Sequence, residues 1–198
     1  MRYLRKITIV GGLASLLALA GDGLPAAGNE KTGASGKRQL KAQEKRSEID
    51  AVARESLDRV LKDAPGASDL FAEAAGYAVF DNLKISFIFS GGGGVGVAVH
   101  KGSDQRTYMK MGTAGVGLGL GGQKYQVVFL FQTDDVFENF VEKGWQADAQ
   151  ANAVAGKAGA NAEAAFIDGM AFYVVTEAGL MLQADISGTK YWKYDRLN

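Results

Sequence analysis

Residues 77–100 read YAVFDNLKISFIFSGGGGVGVAVH, and this stretch decides the fold. Its aromatic and branched residues fall on every second position, the period of a half-buried strand. Extending the same period downstream gives strands at Tyr77–Phe80, Leu83–Phe89, Gly94–His100, Arg106–Met111, Ala114–Gly121 and Tyr125–Phe131. Short Gly- and Asp-bearing breaks, Lys101–Asp104 and Gly121–Gln123, read as the turns of an antiparallel meander. The chain therefore reads as an α+β single domain, with a curved, partly barrel-like sheet carrying an N-terminal amphipathic helix and one mid-chain helix.

The helices flank this core. From Leu40 to Lys62, Ile49, Val52, Ala53, Leu57, Val60 and Leu61 recur at three- and four-residue steps, which is one apolar stripe. Asp50/Arg54, Glu55/Arg59 and Asp58/Lys62 sit at the i,i+4 spacing that supports an exposed helical face. Asp63-Ala-Pro65-Gly66 stops that helix, and Ser68 is expected to cap a short one ending at Gly76. Thr133 is expected to cap a third helix, with Asp134 and Asp135 at its positive end and Gly144 after it. Ala147, Ala149, Ala151, Ala153 and Ala155 alternate strictly, so Trp145–Ala155 reads as a strand. Gly169–Thr176, Leu180–Ile186 and Lys190–Tyr194 complete the sheet.

The ends and the composition bound the function. Residues 1–20 carry a basic head (Arg2, Arg5, Lys6), an apolar run and Ala18-Leu19-Ala20, the layout of a cleaved secretory signal peptide. Residues 21–37 read as a flexible leader and 38–198 as the domain. Loss of Arg2, Arg5 and Lys6 takes the 22 basic residues to 19 against 22 acidic ones, near −3. Such a charge offers nucleic acid no attraction. The absence of Cys and the presence of a single His exclude disulfides, thiolate metal sites and multi-histidine centres. No metal or other cofactor is expected.

Glycine is the unusual residue, at 27. Gly91, Gly93 and Gly96 match GxGxxG in spacing, but a strand follows them where a dinucleotide site needs a helix. Gly94 and Gly96, and further on Gly115, Gly117 and Gly119, instead form stripes along strand faces. A glycine row means either a close-packed seam or a shallow apolar groove for an acyl chain. No nucleophile elbow surrounds a Ser, and His100 reads as a solvated strand-end residue, so the sequence points to no enzyme. Lys37, Arg38, Lys41, Lys45 and Arg46 cluster at the start of the long helix, a pattern suited to anionic headgroups.

Gly76-Tyr-Ala-Val-Phe80, Lys84 with Phe87, the Gly91–Gly96 run and Val97-Ala-Val99 resemble the opening of the SYLF domain. The likeness continues through Gly115–Gly122, Val127–Phe131, the helix Val136–Val141, Gly179-Leu180-Met181 and Ile186–Tyr191. This family comprises lipid-binding and actin-regulating proteins of endocytosis, with many secreted bacterial members. The resemblance implies an α+β module that associates with anionic phospholipid, phosphoinositides in eukaryotic members, through a basic amphipathic N-terminal helix. It adds Lys84 and Lys101 as strand-end lipid contacts. Glu44, Glu48 and Asp50 make this helix less basic than a phosphoinositide binder would want. The expectation is a periplasmic or secreted protein, peripheral to a membrane. The alternative is an envelope-assembly module whose Gly/Ala faces take a protein partner.

Overall fold

The computed structural model describes residues 29–86, 89–116, 121–146, 165–177, 179–181 and 188–198. Its first element, α1, spans Asn29–Asp63. It begins before Leu40, where the apolar period starts, and takes in residues 29–37 of the stretch read as a leader. The predicted stripe is its inner face, with Ile49, Ala53, Leu57 and Val60 buried. Asp50 does not pair with Arg54. It turns to the sheet, where its Oδ2 lies 3.2 Å from the Arg106 guanidinium and accepts the Tyr108 hydroxyl at 3.1 Å. Arg59 pairs with Asp63 instead of Glu55.

The short helix α2, Ala67–Glu73, departs from its expected caps. Gly66, at φ 74°, provides the N-cap, and Ser68 lies inside the helix, donating its hydroxyl to the Leu61 carbonyl at 2.9 Å. The C-cap is Ala74, so Gly76 is free to open the first strand. That position needs glycine, because an added Cβ would sit 2.5 Å from the Phe137 ring.

Six expected strands merge into four long ones: β1 Gly76–Ser86, β2 Phe89–His100, β3 Arg106–Val116 and β4 Gly121–Phe131. Gly121–Gln123, read as a turn, is the start of β4. The hairpin turn at Lys101–Asp104 forms as expected, closed by His100 N–H donating to the Gln105 carbonyl at 3.0 Å. After α3 (Asp134–Lys143) come β5 (Trp145–Gln146), β6 (Met170–Thr176), β7 (Gly179–Met181) and β8 (Thr189–Lys193). The alanine row 147–155 and residues 1–28 lie outside the described residues.

All eight strands join one antiparallel sheet in the order β5-β8-β3-β2-β1-β4-β6-β7. The first three strands form a meander. β4 then returns to the far side of β1, which makes a Greek key and not a continuous meander. Among the described residues the sheet is open, with β5 and β7 at its edges, so it does not close into a barrel. Period-two alternation gives it two buried faces. Val79, Val97, Val99, Val128, Leu130 and Tyr173 pack under α1 and α2. Phe80, Met109, Val127, Phe129, Phe131 and Tyr191 pack under α3, which supplies Phe137, Phe140 and Val141. Thr133 caps α3 as expected, its hydroxyl accepting the Val136 N–H at 3.4 Å, and Gly144 ends it at φ 72°.

Candidate functional site

The structure divides the expected lipid-binding cations between two tasks. Lys37, Arg38 and Lys41 are exposed on the N-terminal part of α1. Lys45 is exposed but holds Glu48 at 2.9 Å. Arg46 turns inward: its Nε donates to the Leu197 carbonyl at 2.7 Å and its guanidinium lies over the Tyr108 ring. Lys101 likewise serves the fold. Its ammonium donates to the Phe71 and Ala72 carbonyls at the C-terminus of α2 and sits 4.5 Å from the centre of the Phe71 ring. A cation there satisfies carbonyls that the helix leaves open and complements its dipole. Lys84 is half-buried in β1, between Gly92 and Gln123 in the register.

Leu40 lies among the exposed cations with 67% of its surface exposed. Residues three and four apart share a helix face, so Lys37, Leu40 and Lys41 present one mixed apolar and basic surface.

The even-numbered glycines of β2 are filled seams. The ideal Cβ position at Gly94 is 2.1 Å from Asn82 Oδ1 and 2.4 Å from the Asp81 carbonyl. At Gly96 it is 2.2 Å from the Val79 carbonyl and 2.5 Å from the Phe80 ring. These two positions cannot admit an acyl chain. Gly115 has the Ser90 hydroxyl 3.2 Å from its Cβ position, while Gly117 and Gly119 lie outside the described residues.

The odd-numbered glycines, on the opposite face, are open. Gly91 and Gly93 are exposed, and their Cβ positions meet nothing closer than 4.0 and 3.5 Å. Direct cross-strand partners point to the same face, so the register builds a rank across five strands: Lys124, Leu83, Gly93, Gly112, Lys190. Leu83 is 44% exposed and Ile85, beside Gly91, is 60% exposed. The Trp192 ring, 3.2 Å from the Cβ position of Gly112, bounds the other side. One step towards α1, Asp81 and Val95 line a cavity of about 280 Å³ with Ile49, Val52, Ala53 and Val79, its rim carrying the Lys45–Glu48 pair. Sequence spacing alone could not separate open from filled glycines, because that depends on which residue lies across the strand.

His100 is more constrained than a solvated residue. Its Nε2 lies 2.9 Å from Asp134 Oδ1, and its Nδ1 accepts the Ser103 backbone N–H at 3.1 Å, with Ser103 Oγ also at 3.1 Å. With Nδ1 engaged by a backbone donor that closes the turn, the ring ties the β2–β3 turn to the start of α3. Burial raises the Tyr108 pKa, and the neighbouring Asp50 carboxylate adds to it. Burial drives the Tyr191 hydroxyl far above the usual tyrosine range. Among the described residues no group of His, Asp and Glu could hold a metal, and no helix is long and apolar enough to cross a membrane.

The fold defines a single α+β module built on one antiparallel sheet. Residues 112–198, from the middle of β3 to five residues beyond β8, match the family model Ysc84, described as "Las17-binding protein actin regulator". Over residues 112–198 the chain is similar to this family. A curated relative is Beta cell expansion factor A of Aeromonas veronii, 44% identical over 151 residues. The aligned region covers 76% of this chain and 58% of that relative, so the chain spans little more than half of the relative's length.

Proposed function

We propose that the protein is a non-catalytic, peripheral lipid-associating component of the cell envelope, periplasmic or secreted after signal cleavage, that docks on anionic phospholipid. The observation that carries this reading is Leu40, an apolar side chain two-thirds exposed beside Lys37 and Lys41. An apolar residue among cations matches the boundary between headgroups and acyl chains. The family likeness of residues 112–198 supports association with a membrane or protein partner. Lys45, Arg46 and Lys101 drop out of the primary contact set, because each is already engaged within the protein.

Flotation with phosphatidylglycerol vesicles tests the reading. Binding should weaken steeply with added salt and be slight on phosphatidylcholine. Each cation near an anionic surface contributes about 1 kcal/mol. Losing three such cations weakens binding about a hundredfold at ~1.4 kcal/mol per decade, so the triple reversal K37E/R38E/K41E, which adds repulsion, should weaken it by at least that much. Parent-like flotation of the triple variant would discard the α1 surface and bring the protein-partner reading forward. Intact mass of protein from the envelope fraction should show cleavage near Ala20, and retained Met1 would reject export with cleavage.

A further inference from the structure

We infer that the exposed floor at Gly91 and Gly93, bounded by Leu83 and Ile85 on one side and by the Trp192 ring over Gly112 on the other, binds together with the cavity beneath α1 the single acyl chain of an anionic lipid. The inference deepens the lipid-association reading by naming a second, chain-binding surface on the sheet.

The trench has the three properties such a ligand requires. Its floor is bare backbone, because Gly91 and Gly93 present no side chains on this face and, among the described residues, no side chain fills their place. Its walls are apolar and exposed: Leu83, Ile85 and Trp192 are three of the four exposed large hydrophobic residues among the described ones. Exposed apolar groups gathered on one surface mark a binding site more than scattered ones do.

Charge complementarity identifies the occupant. Lys124 and Lys190, both exposed, stand at the two ends of the central rank. Lys110 lies in the next rank, opposite Val95 and Trp192, its ammonium 3.9 Å from the centre of the Tyr194 ring. An apolar track flanked by ammonium groups suits a hydrocarbon chain with a negatively charged head. A peptide strand is a poorer fit, since the trench runs across the middle of a sheet whose backbone hydrogen bonds are already made. The track also leads somewhere. Leu83 follows Asp81, and Gly93 precedes Val95, on this same face, and Asp81 and Val95 line the cavity under Ile49 and Val52. The chain end would enter that cavity while the head stays among the lysines.

Trp192 reports the event directly. Dibromostearate, titrated below its micellar concentration, should quench Trp192 saturably. The second tryptophan, Trp145, belongs to the opposite face against Phe129 and Tyr191, so Trp192→Phe should remove the quenching. Gly93→Val fills the trench at a position with space for a side chain and should weaken binding at least tenfold. Leu83→Asn, an exposed change, should weaken it independently. K37E/R38E/K41E should bind dibromostearate as the parent does. Absence of saturable quenching in the parent, or parent-like quenching in both Gly93→Val and Leu83→Asn, overturns the inference. A parent that floats on phosphatidylglycerol vesicles without quenching defeats the trench alone. Quenching without flotation upholds the trench and defeats the α1 docking surface.

Discussion

Two sets of glycines alternate along one strand, and they serve opposite purposes. Gly92, Gly94 and Gly96 face the α3 side, where β1 approaches so closely that a Cβ would overlap the Leu83, Asp81 and Val79 carbonyls. Gly91 and Gly93, between and before them, face the α1 side, where an added Cβ would meet among the described residues only ordinary contacts, at 4.0 and 3.5 Å. The first set buys close approach between strands; the second leaves a surface unfilled. The same residue at the same period is structural on one face and available for binding on the other, and only the opposing elements decide which.

The largest test of this contrast is Gly96→Val. Its side chain would meet the Val79 carbonyl and the Phe80 ring, and backbone cannot swing aside as a flexible side chain can. Overpacking typically costs ~1–3 kcal/mol, and this site should reach or exceed about 3 kcal/mol in urea unfolding. Gly94→Ala should cost less, about 1–2 kcal/mol, because one obstructing group is the Asn82 amide, which can rotate. Gly93→Val should leave the unfolding free energy unchanged or raise it by about 0.5 kcal/mol, since glycine inside a strand is itself unfavourable. Equal losses at Gly96 and Gly93 would erase the distinction between the two faces.

Much of the fold was legible because local signals agreed with their surroundings. The stripe of α1, the Thr133 and Gly144 caps and the Lys101–Asp104 turn each depend on residues close in sequence. The long strands were misread as shorter ones where turn-forming residues sit in mid-strand. Asp81-Asn82 looks like a break, yet Asn82 fits inside β1 because its amide occupies the place a side chain at Gly94 would take. Its Nδ2 donates to the Phe80 carbonyl at 3.3 Å. Gly112 is likewise accommodated in β3 under the Trp192 ring. Both solutions rest on partners distant in sequence, which local propensity does not contain. The cation cluster shows the same limit at the site. Its composition was readable, but the fate of Arg46 and Lys101 depended on the Leu197, Phe71 and Ala72 carbonyls that receive them.

The bond from Arg46 to the Leu197 carbonyl joins residues 151 positions apart. Beside it, the Asn198 amide exchanges two hydrogen bonds with the Tyr108 backbone, at 2.8 and 2.9 Å, much as a neighbouring strand would. α1 is made early by the ribosome, yet part of its anchorage on the sheet is supplied by residues made more than a hundred positions later. Contacts of such separation are entropically costly to close and tend to form slowly. During synthesis, the amphipathic face of α1 therefore remains without its final latch until Leu197 has emerged. The interval between the two events is a window in which that face is open to chaperones.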